Sequence, residues 1–93
     1  MNYQQLKKLQ KETGNWYYQL LINTGDIWKF EGSSGRLAMQ LLEIGACYLP
    51  KVVTYDYYGN KLPTRHQVKE GTKGSYQNSV NYYLSLNYNE NEY

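Results

Sequence analysis

Residues 16–31 read WYYQLLINTGDIWKFE, and this stretch decides the predicted fold. Residues 16–22 alternate bulky side chains between two faces, and residues 27–31 alternate again, as β-strands do. The Asn-Thr-Gly-Asp connection at residues 23–26 has the composition of a hairpin turn. The stretch therefore predicts an antiparallel hairpin, and its first strand, apolar on both faces, is expected at the centre of a sheet.

A helix is predicted directly after the hairpin, over residues 34–44. Ser33 or Ser34 can accept the first backbone amides of such a helix, and Gly45 can end it in a left-handed conformation. Its apolar positions form one broad stripe at helical spacing. These positions are Leu37, Ala38, Leu41, Leu42 and Ile44.

Shorter patterns complete the prediction on both sides of this core. Asn2 can cap an amphipathic helix that ends at Glu12, and Thr64 with Gln67 is typical of a capping box before one or two helical turns. Strands are predicted at residues 46–49, 52–57 and 80–88, with a turn at 58–61 and helical turns at 65–70. Residues 1–93 are thus predicted to form a single α+β domain: a mostly antiparallel sheet of about four strands packed against one main helix, with a short N-terminal helix and an acidic, frayed tail at about 88–93.

The composition excludes several classes of protein. A chain of 93 residues has room for one modest core, and its one cysteine rules out a disulfide within a single chain. No apolar run approaches the roughly 20 residues that span a bilayer, and the N-terminal residues lack the apolar stretch of a signal peptide. The prediction is a cytoplasmic protein without membrane contact.

The reactive side chains are too few and too scattered to predict catalysis. Cys47 and His66 are the one pair that could imitate a thiol–imidazole dyad, and a buried thiol with a solvated imidazole is the simpler interpretation. One cysteine and one histidine without clustered carboxylates cannot close a metal shell. We therefore predict no catalytic residue, no metal and no cofactor.

The region from residue 51 to residue 75 is the predicted binding surface. It carries five basic residues against two acidic ones, and three tyrosines within four positions. Aromatic side chains interleaved with basic ones suit a protein partner or a phosphate backbone, although an ordinary solvated face would look the same. The predicted partner contacts are Tyr55, Tyr57, Tyr58, Lys61, Arg65, Lys69 and Lys73. Further nucleic-acid contacts are predicted at Lys7, Lys8, Lys11 and Arg36, whereas Trp16, Tyr18, Trp28 and Phe30 are predicted to lie in or beside the core.

Three strings, FEGSSGRLAMQLLEIG at 30–45, YDYYGNKLPTR at 55–65 and EGTKGS at 70–75, resemble small accessory proteins of phages and conjugative elements in low-GC Gram-positive bacteria. That group includes anti-CRISPR inhibitors of host defence and DNA-binding accessory proteins of plasmid transfer. Many anti-CRISPR proteins imitate nucleic acid with acidic surfaces, and this chain departs from that pattern with a net charge of +2.

The resemblance implies a mobile-element origin and is compatible with both of these roles. We predict first a non-enzymatic protein that binds and inhibits a bacterial defence protein or ribonucleoprotein complex, such as a CRISPR effector nuclease. Because the chain is slightly basic, an inhibitor of this kind is expected to bind protein, guide RNA or both. The alternative is a small dimeric DNA-binding accessory protein that uses the same basic region.

Overall fold

The computed structural model describes residues 1–30 and 32–91, with side chains through residue 86, and it is mostly helical. Four α-helices and a 3-10 helix surround a central irregular segment, and the described part of the chain holds one two-stranded sheet. The elements are α1 Tyr3–Glu12, α2 Trp16–Thr24, the 3-10 helix Asp26–Lys29, α3 Ser33–Ile44, β1 Thr54–Tyr55, β2 Lys61–Leu62 and α4 Tyr76–Asn91. The prediction of about four strands packed against one main helix is therefore wrong.

The predicted hairpin at residues 16–31 is instead α2 followed by the 3-10 helix. Because residues 16–22 are apolar at every position except Gln19, alternation and helical spacing fit them equally well. The side chains that α2 buries are Gln19 and Ile22, three positions apart, which is the spacing of one helix face. Glu31, the last residue of the second predicted strand, lies outside the described residues.

The predicted strand at residues 80–88 is likewise helical, as part of α4. Ser79, Val80 and Tyr83 are buried while Leu84 is exposed, which follows helical rather than alternating spacing. Ser75 starts the helix by accepting a hydrogen bond at Oγ from the Asn78 N–H at 3.1 Å. The side chains beyond residue 86, and residues 92 and 93 altogether, lie outside the description, so the fraying predicted for 88–93 stays a prediction.

The remaining predicted strands are short or unpaired. Only Thr54–Tyr55 of the strand predicted at 52–57 is paired, antiparallel to Lys61–Leu62. Residues 46–49 do not form a strand, and residues 65–70 form turns rather than a helix. One half of the predicted capping box is present, since the Thr64 N–H donates to Gln67 Oε1 at 2.9 Å, whereas the Gln67 N–H donates to the Thr64 carbonyl at 3.1 Å.

Two helices are confirmed. α1 begins after Asn2, whose side chain accepts from the Gln5 N–H in a capping box. α3 covers Ser33–Ile44 and ends at Gly45 in the left-handed conformation, as predicted. The predicted serine cap is wrong, because the residue before α3 is Gly32 and no side chain caps it within the described residues. Ile44 was placed in the core stripe and is in fact exposed.

The centre of the molecule is the segment of residues 46–50, every residue of which is buried. Side chains form hydrogen bonds with its backbone N–H and carbonyl groups where a neighbouring strand would do so in a sheet. Gln19 accepts from the Tyr48 N–H at 2.9 Å and donates to the Tyr48 carbonyl at 2.8 Å. The Ala46 carbonyl accepts from the Tyr83 hydroxyl at 2.7 Å and from Gln10 Nε2 at 3.2 Å. Such partners are what allows an irregular segment to lie inside a core.

Apolar contacts on two sides of this segment complete the core. On one side α2, the 3-10 helix and α3 contribute a cluster that includes Ile22, Trp28 and Leu42. On the other side Leu6 of α1 and Tyr83 of α4 pack with Tyr48. β1, β2 and the turn between them, residues 54–62, form a short hairpin. This hairpin, the 3-10 helix and the start of α3 leave a groove between them.

Candidate partner-binding groove

An open groove of about 610 Å³ lies between the hairpin, the 3-10 helix and the start of α3. We call it the aromatic groove. Its lining is predominantly apolar, and its polar side chains are those of Arg36, Asp56 and the tyrosine hydroxyls. The lining residues are Trp28, Phe30, Gly32, Gly35, Arg36, Met39, Asp56, Tyr57, Tyr58 and Leu62.

The hairpin tip forms the first wall, and Asp56 fixes its shape. The carboxylate accepts from the Tyr58 N–H at 2.9 Å, from the Asn60 N–H at 2.8 Å and from Asn60 Nδ2 at 3.2 Å. These hydrogen bonds, those from Asn60 first, hold the pKa of Asp56 below its ordinary value. An aspartate that bonds to the amides after it is a turn-forming device, so the tip holds its two tyrosines in defined positions.

Those two tyrosines point away from the core. Tyr57 is 53% exposed and Tyr58 is 85% exposed. Their rings lie edge to face, with centroids 5.2 Å apart, a favourable arrangement of two aromatic quadrupoles. A large aromatic surface is thus presented to solvent by a turn that needs neither ring for its own hydrogen bonds.

The opposite wall comes from residues around the start of α3. Phe30 is 51% exposed and Met39 is 37% exposed, and the exposed Arg36 lies between them in sequence. Arg36 forms no ion pair with any residue that the structure describes. This wall therefore combines two apolar side chains with one cation.

Two side chains of the core region, Trp28 and Leu62, form the floor of the groove. Trp28 is 7% exposed and belongs to the core, and Leu62 of β2 packs against the same cluster. The Trp28 Nε1 atom is buried and has no hydrogen-bond partner among the described residues. Such an atom costs folding free energy, and the surrounding packing has to offset that cost.

The structure brings only part of the predicted binding surface to the groove. Tyr57, Tyr58 and Arg36 line it. Tyr55 is 55% exposed and pairs with the exposed Lys61 across the hairpin. Lys69 is exposed on the following turn region, and neither lysine is among the lining residues.

Arg65 and Lys73 each contact another residue of the chain. Arg65 Nε donates to the Leu49 carbonyl at 2.8 Å, and its guanidinium lies 4.7 Å from the centre of the Tyr48 ring. Lys73 Nζ lies 3.9 Å from the Glu43 carboxylate in an exposed ion pair. These contacts of Arg65 hold residues 46–50 in place, so this arginine stabilises the core.

The N-terminal lysines lie on α1. The Lys7 ammonium group lies 5.0 Å from the centre of the Trp16 ring, within cation–π range, whereas Lys8 and Lys11 are exposed. None of the three lines the aromatic groove. The basic residues predicted as partner or nucleic-acid contacts are therefore distributed over α1, the start of α3, the hairpin and the turns before α4.

The sequence missed Phe30 and Met39 as surface residues. Alternation along residues 27–30 placed Phe30 on the same side as Trp28, in or beside the core. The chain instead turns through a 3-10 helix and leaves it at Phe30, so that Trp28 faces inward and Phe30 faces the groove. Met39 follows the buried Ala38, and no sequence pattern marks it as a wall of a groove.

The two reactive groups of the sequence lie in different surroundings. Cys47 is fully buried, its Sγ lies 3.7 Å from the Asn15 carbonyl oxygen, and burial raises its pKa to about 12. A thiol in that state is a poor nucleophile at neutral pH. His66 is exposed on a turn. Across the described residues, no group of three or more His, Cys, Asp or Glu side chains could hold a metal ion.

Comparison of the chain with family models, with curated proteins and with solved structures finds no match. In the part of the chain that the structure describes, no helix has the length and apolarity needed to cross a bilayer. The aromatic groove is the feature on which a functional argument can be built.

Proposed function

We propose that this protein is a non-enzymatic inhibitor that binds a bacterial defence complex in the cytoplasm of the host cell, and that the aromatic groove is its contact surface. The observation that carries the proposal is the exposure of Phe30, Tyr57 and Tyr58 around one concave, largely apolar surface. Exposed apolar patches of this kind mark interaction sites. Tyrosine and arginine are also the side chains that most often dominate binding free energy.

The sequence resemblance supports a mobile-element origin, which suits either role, and it concerns the residues of the groove. Two of the three strings that resemble mobile-element accessory proteins, residues 30–45 and 55–65, supply nearly all of the groove lining. Phe30, Arg36 and Met39 come from the first string, and both exposed tyrosines come from the second. The resemblance and the groove thus concern the same residues.

The DNA-binding alternative has less support from the placement of charge. Duplex binding gains most of its affinity from several cations that contact phosphates together. Arg65, Lys73 and Lys7 each have a contact within the protein. Among the described residues that line the groove, Arg36 is the one basic residue.

The proposal is tested by plasmid interference in cells that carry a CRISPR effector. Expression of the protein should restore transformation by a targeted plasmid, and Tyr58→Ala or Phe30→Ala should abolish the effect. Tyr17→Ala is the matched control, because Tyr17 is 65% exposed on α2 and does not line the groove. A hot-spot tyrosine contributes at least about 2 kcal/mol, so affinity for the effector should fall by at least about 30-fold.

Two further measurements separate this function from its competitors. Inhibition should end at a fixed molar ratio of protein to effector, whereas complete inhibition far below one protein per effector would indicate turnover and contradict a non-enzymatic role. A retarded band of duplex DNA that weakens steeply between 50 and 200 mM salt would favour the DNA-binding alternative. Equal loss of inhibition in Tyr17→Ala and Tyr58→Ala would remove the groove from the proposal.

A further inference from the structure

We propose that the aromatic groove binds a protein segment in which a large apolar side chain stands beside an aspartate or glutamate. The apolar side chain would lie over Trp28 between the two walls, and the carboxylate would bind Arg36. This inference rests on the proposed function and specifies the chemistry of its partner.

The size and lining of the groove determine the apolar part. A volume of about 610 Å³ lies within the range of sites that bury a drug-sized ligand, which is the scale of one or two large side chains. Phe30 and Met39 on one side and the Tyr57–Tyr58 pair on the other leave little polar surface between them. An inserted aliphatic or aromatic side chain would bury apolar area on both walls and on the floor at once.

The charges of the groove determine the acidic part. Arg36 is exposed and has no ion-pair partner among the described residues. Among the described lining residues Asp56 is the acidic one, and its carboxylate accepts three hydrogen bonds from the turn, out of about four acceptor positions. The charged group of the described lining that has no such contact is the Arg36 guanidinium, which pairs with a carboxylate through two parallel hydrogen bonds.

The start of α3 strengthens this preference. Gly32 and Gly35 line the groove beside Arg36, at the N-terminal end of a twelve-residue helix. The amides of a helix N-terminus carry partial positive charge, which favours an anion at that place. The contribution adds to that of Arg36 and does not replace it.

The same observations disfavour a nucleic-acid occupant. A single strand is held by aromatic stacking together with a series of cations that follow its backbone. The aromatic side chains are present in the groove, whereas Arg36 is its only basic lining residue among those the structure describes. A protein segment with one carboxylate matches one arginine better than a nucleic-acid strand with a phosphate at every nucleotide.

A displayed library of random twelve-residue peptides tests the inference. Selection on the wild-type protein, with removal of peptides that also bind Tyr58→Ala, should enrich a large apolar residue next to Asp or Glu. The best peptide, made synthetically and measured by fluorescence anisotropy, should bind Arg36→Glu at least 10-fold more weakly. Arg36→Lys should show an intermediate loss, because lysine keeps the charge without the two-pronged geometry.

Charge exchange supplies the decisive control. The same peptide with its acidic residue changed to lysine should bind the wild type weakly and should regain affinity for Arg36→Glu. Affinities that differ by less than twofold between wild type and Arg36→Glu, enrichment without an acidic residue, or no enrichment over the Tyr58→Ala background would each overturn the inference. Far-ultraviolet circular dichroism of each variant verifies that a loss of binding is not a loss of folding.

Two other occupants are outcomes of the same series. A fluorescein-labelled dT15 strand that binds the wild type below micromolar concentration and not Tyr58→Ala would replace the peptide with single-stranded nucleic acid. A dimer in sedimentation equilibrium that Tyr58→Ala dissociates would assign the groove to a second copy of this chain. We expect neither.

The interference assay keeps this inference separable from the proposed function. If Tyr58→Ala abolishes inhibition and Arg36→Glu does not, the groove remains the contact surface and the acidic anchor is wrong. If neither variant changes inhibition, the proposed use of the groove fails first. If both abolish it and the peptide selection gives the expected pattern, both stand.

Discussion

Replacement of Gln19 by methionine should be among the most destabilising single substitutions in this protein. Gln19 is fully buried and its amide makes four hydrogen bonds: two with the Tyr48 backbone, one from Gln10 Nε2 and one to Asn23 Oδ1. Methionine has a similar length and cannot form them. The substitution would leave both the N–H and the carbonyl of Tyr48 buried without a partner.

The size of the expected destabilisation follows from the N–H and the carbonyl of Tyr48. Each buried backbone group without a partner costs about 1–3 kcal/mol, so the free energy of unfolding should fall by about 2–6 kcal/mol. The additional apolar burial of methionine offsets about 1 kcal/mol of this loss. Since a domain of this kind is stable by about 5–15 kcal/mol, the loss is a large fraction of the total.

Gln10 provides the control that isolates the mechanism. It is as deeply buried as Gln19, but its Oε1 has no partner among the described residues, and the carbonyl that it contacts, that of Ala46, also accepts from the Tyr83 hydroxyl. Gln10→Met therefore leaves no backbone group unpaired and should cost less than about 1.5 kcal/mol. Gln40→Met, at an exposed position of α3, should stay within about 0.5 kcal/mol of the wild type.

Urea unfolding followed by circular dichroism at 222 nm measures all three variants. The expected order of destabilisation is Gln19→Met, then Gln10→Met, then Gln40→Met. In a thermal melt followed at the same wavelength, the net loss of about 1–5 kcal/mol should lower the melting temperature of Gln19→Met by at least about 4 °C. Equal costs for the two buried glutamines would refute the reasoning, because burial alone, rather than the support of residues 46–50, would then explain both.

Three further predictions concern the same core. Arg65→Lys should lower the free energy of unfolding by about 1–2 kcal/mol because lysine has no Nε to reach the Leu49 carbonyl, whereas Lys69→Ala should change it by less than about 0.5 kcal/mol in the same urea titration. Gly45→Ala should destabilise more than Gly59→Ala: both glycines have positive φ, 96° and 82°, but an added Cβ at Gly45 would lie 2.7 Å from a backbone oxygen of α4, and open space surrounds Gly59. Equal melting temperatures for these two variants would mean that α3 and α4 can separate at no cost. Cys47 should react with iodoacetamide at pH 8 far more slowly in the folded protein than in 6 M guanidinium, because burial raises its pKa; equal rates, followed by mass spectrometry, would show that the thiol is accessible.

The sequence predicted those helices whose ends carry a chemical signal. α1 begins at the cap of Asn2, and α3 ends at Gly45, where only a residue that tolerates positive φ fits easily. The prediction for α2 is wrong because residues 16–22 are apolar on both faces, so strand and helix spacing fit them equally well. In α4 the apolar residues of 80–88 alternate regularly with mostly polar ones, which indicates a strand, and asparagine and serine have low intrinsic helix propensity. Nevertheless Ser75 caps the helix and Asn78 Nδ2 donates to the Leu42 carbonyl at 3.1 Å. Contacts distant in sequence outweighed local preference.

The candidate site was predicted in part for a similar reason. When two consecutive tyrosines lie next to a turn, at least one ring is expected to face solvent. Tyr57 and Tyr58 both do. Arg65 could not be assigned from sequence, because its partners, Leu49 and Tyr48, are 16 and 17 positions away along an irregular segment. Nor could Phe30, whose exposure depends on a 3-10 turn that no alternation pattern describes.

A single close contact explains why the two walls of the groove stand where they do. Gly25 ends α2 with φ of 84°, and a Cβ built there would lie 3.0 Å from Thr54 Cβ. The glycine therefore lets β1 pack directly on the junction between α2 and the 3-10 helix. The 3-10 helix leads from Gly25 to Phe30 on one wall, and β1 leads from Thr54 to Tyr57 and Tyr58 on the other. The spacing of the groove is thus set by buried groups, and the exposed rings are free to serve a partner.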